Sequence, residues 1–195
     1  MGVRKVMDRL EICGNIASGK TTLAKAFENQ LKYDVVYEDF TSVKCLSDFY
    51  EDFNKYAFET ESIFTLLHYY QLKKKRSGFF VTDFSIINDY AFALTTLTKA
   101  EFEIYEKTFD YVLKCIGYPQ RVIYLASNTD ILFKRIGERG RKNEQGISKI
   151  YLGQIEKNIN LALEKKFPNT RIVLLDSEMT TCDNYNKKFL MNLLQ

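Results

Sequence analysis

Apolar and polar positions along the chain follow two rhythms that take turns. Short β-branched or apolar runs at Arg9 to Cys13, Asp34 to Glu38, Phe79 to Asp83, Arg121 to Ser127 and Arg171 to Asp176 read as buried strands. Between and after them, apolar residues recur near the helical period at Gly19 to Leu31, Asn54 to Arg76, Lys99 to Cys115, Asp130 to Arg139 and Ser148 to Phe167, with a shorter stretch at Asp183 to Leu194. Strands alternating with helices predict a parallel α/β sheet with right-handed crossovers. Ligands of such sheets sit beyond the carboxyl ends of the strands, so the residues that follow each run are the first places to look for chemistry. The stripe Phe102, Tyr105, Phe109 and Val112 has helical spacing and reads as packing, either in the core or between subunits.

Composition narrows the picture. A chain of 195 residues, 46% apolar and 27% charged, is long enough to build one well-buried core, which excludes disorder as its main state. Two prolines and nine glycines leave no room for a Pro/Gly-rich linker, and no repeat is visible, so residues 1–195 are expected to form a single domain. With 28 basic and 25 acidic side chains the formal charge is +3, too small and dispersed for a nucleic-acid polymer as partner. Any anionic ligand must be held locally. The longest apolar runs, Tyr90 to Leu94 and Val122 to Ala126, are five residues each. A membrane span needs roughly 18 to 20, so a soluble protein is expected. The opening MGVRKVMDRL has neither a long apolar core nor a small-residue cleavage site, and no secretion signal is evident. Cys13, Cys45, Cys115 and Cys182 are scattered and accompanied by one histidine, a spacing that does not suit a structural zinc site. A cytoplasmic location is the simplest expectation.

Directly after the first strand stand Gly14, Asn15, Ile16, Ala17, Ser18, Gly19, Lys20 and Thr21, a full match to G-x-x-x-x-G-K-[ST] between a strand and a helix. Glycines let backbone N–H groups turn around a phosphate, the following helix adds its positive end, and Lys20 supplies a charge to the outer phosphates. Residues Gly14 to Thr22 are therefore the expected ATP site, with Thr21 as a magnesium ligand. A second basic group, Arg135, Arg139 and Arg141, begins on a helix and runs into a glycine turn. Arg135 and Arg139 lie four apart and share a face. Three guanidiniums there could close over a triphosphate and offset charge on the transferring phosphoryl group. On the acceptor side, Glu38 follows the second strand and Asp83 ends the third. Phosphorylating a hydroxyl needs a proton acceptor and a carboxylate near magnesium, a division that suits Glu38 and Asp83 respectively. Glu61 and His68 lie seven apart on the long helix and point almost the same way, either to read the edge of a base or as a mutually satisfied buried pair.

These residues resemble the deoxynucleoside kinase family. The likeness spans nearly the whole chain: GNIASGKTTL at 14–23, Glu38, FYEDFNKYAFETE at 49–61, TDFSIINDYAFA at 82–93 and RIGERGRKNEQGISKIYL at 135–152. It implies a P-loop kinase fold with a five-stranded parallel sheet and an arginine-rich lid at about 136–147. A homodimer is implied, which transfers the γ-phosphoryl of ATP, with Mg2+, to the 5′-hydroxyl of a deoxynucleoside in nucleotide salvage. By position, Glu38 matches the family's general base, Lys20 with its loop the donor-phosphate site, and Arg135, Arg139 and Arg141 the lid arginines. Tyr50 and Glu144 match the pair that holds the sugar 3′-hydroxyl. Asp83 matches the acidic member of a Glu/Asp-Arg-Ser motif, but here Phe84 replaces the arginine. Glu61 stands where the better-known enzymes have a base-reading glutamine and His68 where deoxycytidine kinases have an arginine, while Asp89 keeps the acidic partner. A carboxylate at Glu61 suits the donors of a purine edge, which leans the expectation towards purines. Two other readings stay open: a thymidylate kinase-like enzyme acting on nucleoside monophosphates, and a nucleotide sensor without catalysis.

Overall fold

The computed structural model describes residues 8–75, 78–141, 144, 146–178 and 185–195. Residues 1–7, Arg76, lid positions 142, 143 and 145, Cys182 and the expected start of the last helix at 183–184 lie outside the described residues. All five expected strands form: β1 (Arg9–Gly14), β2 (Asp34–Val36), β3 (Phe80–Thr82), β4 (Arg121–Ala126) and β5 (Arg171–Asp176). They make one parallel sheet in the order β2-β3-β1-β4-β5. Helices α1 (Lys20–Leu31), α2 (Leu46–Glu51), α3 (Phe53–Lys74), α4 (Ile86–Thr96), α5 (Lys99–Ile116), α6 (Thr129–Arg139), α7 (Lys149–Lys165) and α8 (Lys187–Asn192) connect and flank them.

The central strand shows how the layers form. Leu10 and Ile12 point to one face, where they join Leu23 and Phe27 of α1 and Leu190 of α8. Cys13 points to the other face, into a larger cluster built from α4, α5 and α7 that includes Ile87, Phe109 and Ile159. Two charged residues share this interior. Arg9 and Glu11 are fully buried and paired at 2.7 Å. Arg9 also donates to the carbonyls of Ile116 and Gly117 at the end of α5, and Glu11 accepts from Ser85 Oγ and Ile86 N at the start of α4. Each charge thus meets orphan backbone groups of the helix end whose dipole it complements, which offsets the cost of burying the pair.

The short helix α2 forms where the sequence pattern predicts no element, and two further expectations need correction. Helix α4 was not foreseen, because Ile86, Ile87, Ala91 and Ala93 together with Asn88 and Asp89 are buried on all sides, leaving no polar face and no helical period to read. The two edge strands are not fully buried: β2 has Asp34 exposed and Val35 half-buried, and β5 has Leu174 66% exposed and Ile172 39% exposed. The α5 stripe resolves as core, since Tyr105, Phe109 and Val112 are buried and Phe102 packs against them. No helix among the described residues is long and apolar enough to cross a membrane.

Candidate active site

The chain turns at the end of β1 in a way that only glycine allows. Gly14 has φ +152°, and a Cβ there would stand 2.6 Å from Ser18 Oγ and 2.9 Å from the Leu125 carbonyl. Gly19, at φ 98°, opens α1 without a side-chain cap, which leaves the first N–H groups of the helix for an anion to use. Lys20 folds back over this loop and donates to the carbonyls of Gly14 and Asn15, both at 2.9 Å. Burial lowers the pKa of its ammonium, against the pull of the Glu38 and Asp83 carboxylates. Two asparagines tie the loop down. Asn15 donates to the Leu152 carbonyl on α7 at 2.8 Å and accepts from Ile16 N, so its side chain serves the loop's shape. Asn88 of α4 grips Gly14 twice, accepting from its N–H at 3.1 Å and donating to its carbonyl at 2.8 Å. Its place in the 82–93 block was visible in sequence, but a grip on a backbone 74 residues away was not.

At the neighbouring strand ends one carboxylate gathers three segments. Asp83 accepts from Thr21 Oγ1 at 2.9 Å and from the Glu38 backbone N–H at 2.6 Å. Strand β2 ends at Val36, so Glu38 lies two residues beyond it, with its carboxylate 3.1 Å from His68 Nε2. From here a cleft of about 590 Å³ runs both ways, to Ser18, Lys20 and Thr21 on one side and to Glu61, Phe64 and Phe92 on the other. The structure brings Tyr50, His68, Asp89, Glu144 and all three expected arginines to this same cleft.

Glu61 is buried, and its carboxyl accepts from the Thr96 hydroxyl at 3.1 Å. Burial pushes its pKa up to about 8, a rise that Asp89 reinforces and the Thr96 hydrogen bond opposes. At neutral pH this side chain is mainly a carboxylic acid, with one donor and one acceptor, much as a glutamine offers. Sequence reasoning treated it as a carboxylate, a difference set by the enclosure that α3 and α4 provide together. Thr96 itself carried no signal in the sequence.

The arginines each have an occupation. Arg135 donates to Ser177 Oγ at 3.2 Å and to the Ser177 carbonyl at 3.0 Å, just past the end of β5. Arg139 makes a forked pair with Glu144, at 2.5 Å and 3.1 Å, and Arg141 reaches the same carboxylate at 3.3 Å. Gly140, at φ 61°, turns the chain between them. A Cβ on Gly146 would stand 2.9 Å from the Tyr50 carbonyl, so this segment lies directly against α2 and sets Tyr50 and Glu144 on one wall.

Residues 10–194 match the family described as deoxynucleoside kinase. The chain belongs to the deoxynucleoside kinase family. It is 27% identical over 191 residues to the deoxyguanosine kinase of Bacillus subtilis (strain 168), covering 94% of this chain and 89% of that one. The deoxyadenosine kinase of Dictyostelium discoideum is 30% identical over 153 residues, 73% of this chain and 61% of the relative. In fold the chain resembles the deoxyadenosine kinase from M. mycoides with bound dATP, at a TM-score of 0.84 and 21% identity over 96% of this chain and 100% of that one. The same enzyme with bound dCTP gives 0.82 over 95% and 98%. As a member of this family the chain is an ATP-dependent kinase, and the monophosphate-kinase and sensor readings are not favoured.

Proposed function

We propose that this kinase transfers the γ-phosphoryl group of ATP to the 5′-hydroxyl of a deoxynucleoside, preferring purines, as a step of nucleotide salvage in the cytoplasm. Residues 1–195 then act as one kinase domain, with the arginine segment at about 136–147 as its lid. The position of Glu38 supports the reading: it lines the same cleft as Lys20, Glu61, Phe64 and Phe92, with its backbone N–H on Asp83 and its carboxylate 3.1 Å from His68 Nε2. A group so placed accepts the proton of the hydroxyl that attacks the phosphoryl group.

The donor side is ready for phosphate. Ser18 Oγ is buried and meets no hydrogen-bond partner among the described residues, while Lys20 is held by carbonyls that a phosphate would outbid. Thr21 and Asp83 offer adjacent hard oxygen donors and fit Mg2+. An ion there would be held chiefly by substrate phosphates, with few protein ligands. Bound there, Mg2+ would offset charge on the donor phosphates. Arg135, Arg139 and Arg141 supply further positive charge from the lid, and Tyr50 with Glu144 holds the sugar. Asp89 and Glu61 line the base pocket, where Glu61 pairs a donor and an acceptor with a purine edge.

A second copy of the chain covers the exposed apolar stripe of Ile63, Leu66 and Tyr70 on α3 and Ile104 and Tyr111 on the adjacent α5. Exposed large apolar side chains on two neighbouring helices support such an interface.

The test is to supply ATP, Mg2+ and each of the four deoxynucleosides, in parallel with their 5′-monophosphates, and to measure ADP release and product mass. Deoxyadenosine or deoxyguanosine is expected to yield its 5′-monophosphate fastest. Phosphorylation of the monophosphates alone, or of nothing while ATP still binds, would overturn the reading.

A further inference from the structure

His68 is the single histidine of the chain. It sits in the middle of α3, its side chain only 2% exposed, between two carboxylates that come from different segments. Nδ1 lies 2.9 Å from both oxygens of Asp89 on α4. Nε2 lies 3.1 Å from Glu38 Oε1, within ion-pair range but off the axis of a hydrogen bond, and has no other hydrogen-bond partner among the described residues. The ring lies flat on Phe84, with centroids 3.9 Å apart and planes 5° from parallel, and Phe64 approaches it obliquely at 6.0 Å.

This environment decides the charge and the duty of the imidazole. Burial opposes its protonation, but Asp89 and Glu38 outweigh that effect and push its pKa up to about 10. A ring charged between two acids, with a flat aromatic face beneath it, is fixed in both position and tilt. Nδ1 is taken by Asp89, and Nε2 stands beside the Glu38 carboxylate, so the ring is flanked by protein carboxylates on both sides.

We propose that His68 is a positioning residue: an imidazolium anchored by Asp89 and levelled by Phe84, which holds the Glu38 carboxylate where the acceptor hydroxyl arrives. The proposal rests on the reading of Glu38 as proton acceptor. It assigns Phe84 a purpose, because an arginine there would set a second cation against the imidazolium and remove its flat support. It also ties the base pocket to the reacting end through Asp89, His68 and Glu38 in series.

The test uses the full chain labelled with 15N in histidine, whose one imidazole needs no assignment. At pH 8, where a free imidazole is neutral, both nitrogens are expected to be protonated. Glu38→Gln is expected to shift the Nε2 signal and leave Nδ1 nearly in place, and Asp89→Asn to do the reverse. In turnover, His68→Gln is expected to lower kcat by about 100-fold, with the KM for each substrate changing less than about threefold, since misplacing a reacting group costs rate rather than binding. A neutral ring at pH 8, an Nε2 signal indifferent to Glu38→Gln, or a His68→Gln enzyme with normal kcat and a weakened acceptor KM would each overturn the proposal. If His68→Gln does not fold, the spectra of the wild type and of Glu38→Gln decide it alone. They also stand if no deoxynucleoside is phosphorylated, which would sink the assignment of substrate while leaving the His68–Glu38 pair to be judged on its own signals.

Discussion

The two halves of the cleft are built from different materials. On the donor side, the loop from Gly14 to Thr21 makes its site from backbone: a glycine that admits no Cβ, an uncapped helix start and one lysine. On the acceptor side, the pocket is lined by side chains from α2, α3, α4, Glu144 and the segments that follow β2 and β3. A backbone cradle recognises any polyphosphate and depends on a short contiguous sequence. A side-chain pocket can be re-specified one residue at a time.

The sharpest way to break this contrast is to remove the charged side chain that folds over the phosphate loop. Lys20→Met is expected to lower kcat by about 1000-fold, the scale of losing a preorganised electrostatic contact in the transition state. Binding of the deoxynucleoside, measured by calorimetry, should hardly change. A large loss of acceptor affinity would show that the halves are not separable.

Asn88→Ala tests the seam between them. It leaves the N–H of Gly14 without its side-chain partner in a buried site and removes one of the two side-chain donors to its carbonyl, Lys20 being the other. Such a loss costs about 1–3 kcal/mol, to be read by denaturant unfolding, and the KM for ATP is expected to rise more than that for the acceptor.

The smallest expected effect sharpens the acceptor side. Because the Glu61 pKa is raised to about 8, the side chain is protonated below that pH and ionised above it. The acid form pairs with an edge that offers one donor and one acceptor, as adenine does, and the anion with an edge that offers two donors, as guanine does. Raising the pH from 7 to 9 is therefore expected to move the ratio of kcat/KM for deoxyguanosine over deoxyadenosine upwards by less than about tenfold. Glu61→Gln should hold the ratio constant, and an unchanged ratio in the wild type would remove Glu61 from base selection.

What could be read from the sequence divides along the same line. The strand–helix alternation and the phosphate loop are local patterns, and the five strands and the Gly14–Thr21 turn stand where those patterns put them. Glu61 and His68 could be placed on one side of α3 by counting turns, and both reach the cleft. Their chemistry could not be read, because it is set by partners 21 to 35 residues away, Asp89 for one and Thr96 for the other. Helix α4 escaped for a related reason: burial on every side erases the polar face by which helices are recognised. Phe84 looked like a gap in a motif until its ring was seen beneath His68.

The turn from β3 into α4 also constrains how this site can evolve. Asp83 grips Thr21 and the Glu38 backbone, Phe84 supports His68, Ser85 caps α4 and reaches Glu11, Asn88 holds Gly14, and Asp89 anchors His68. These partners come from four other segments of the chain, β1, α1, the stretch after β2 and α3, and a helix advances about 100° per residue. One inserted or deleted residue would rotate every grip away from its partner at once, whereas an exchanged side chain disturbs only its own. Divergence through this stretch should therefore proceed by substitution at fixed spacing, and changes of length should collect elsewhere.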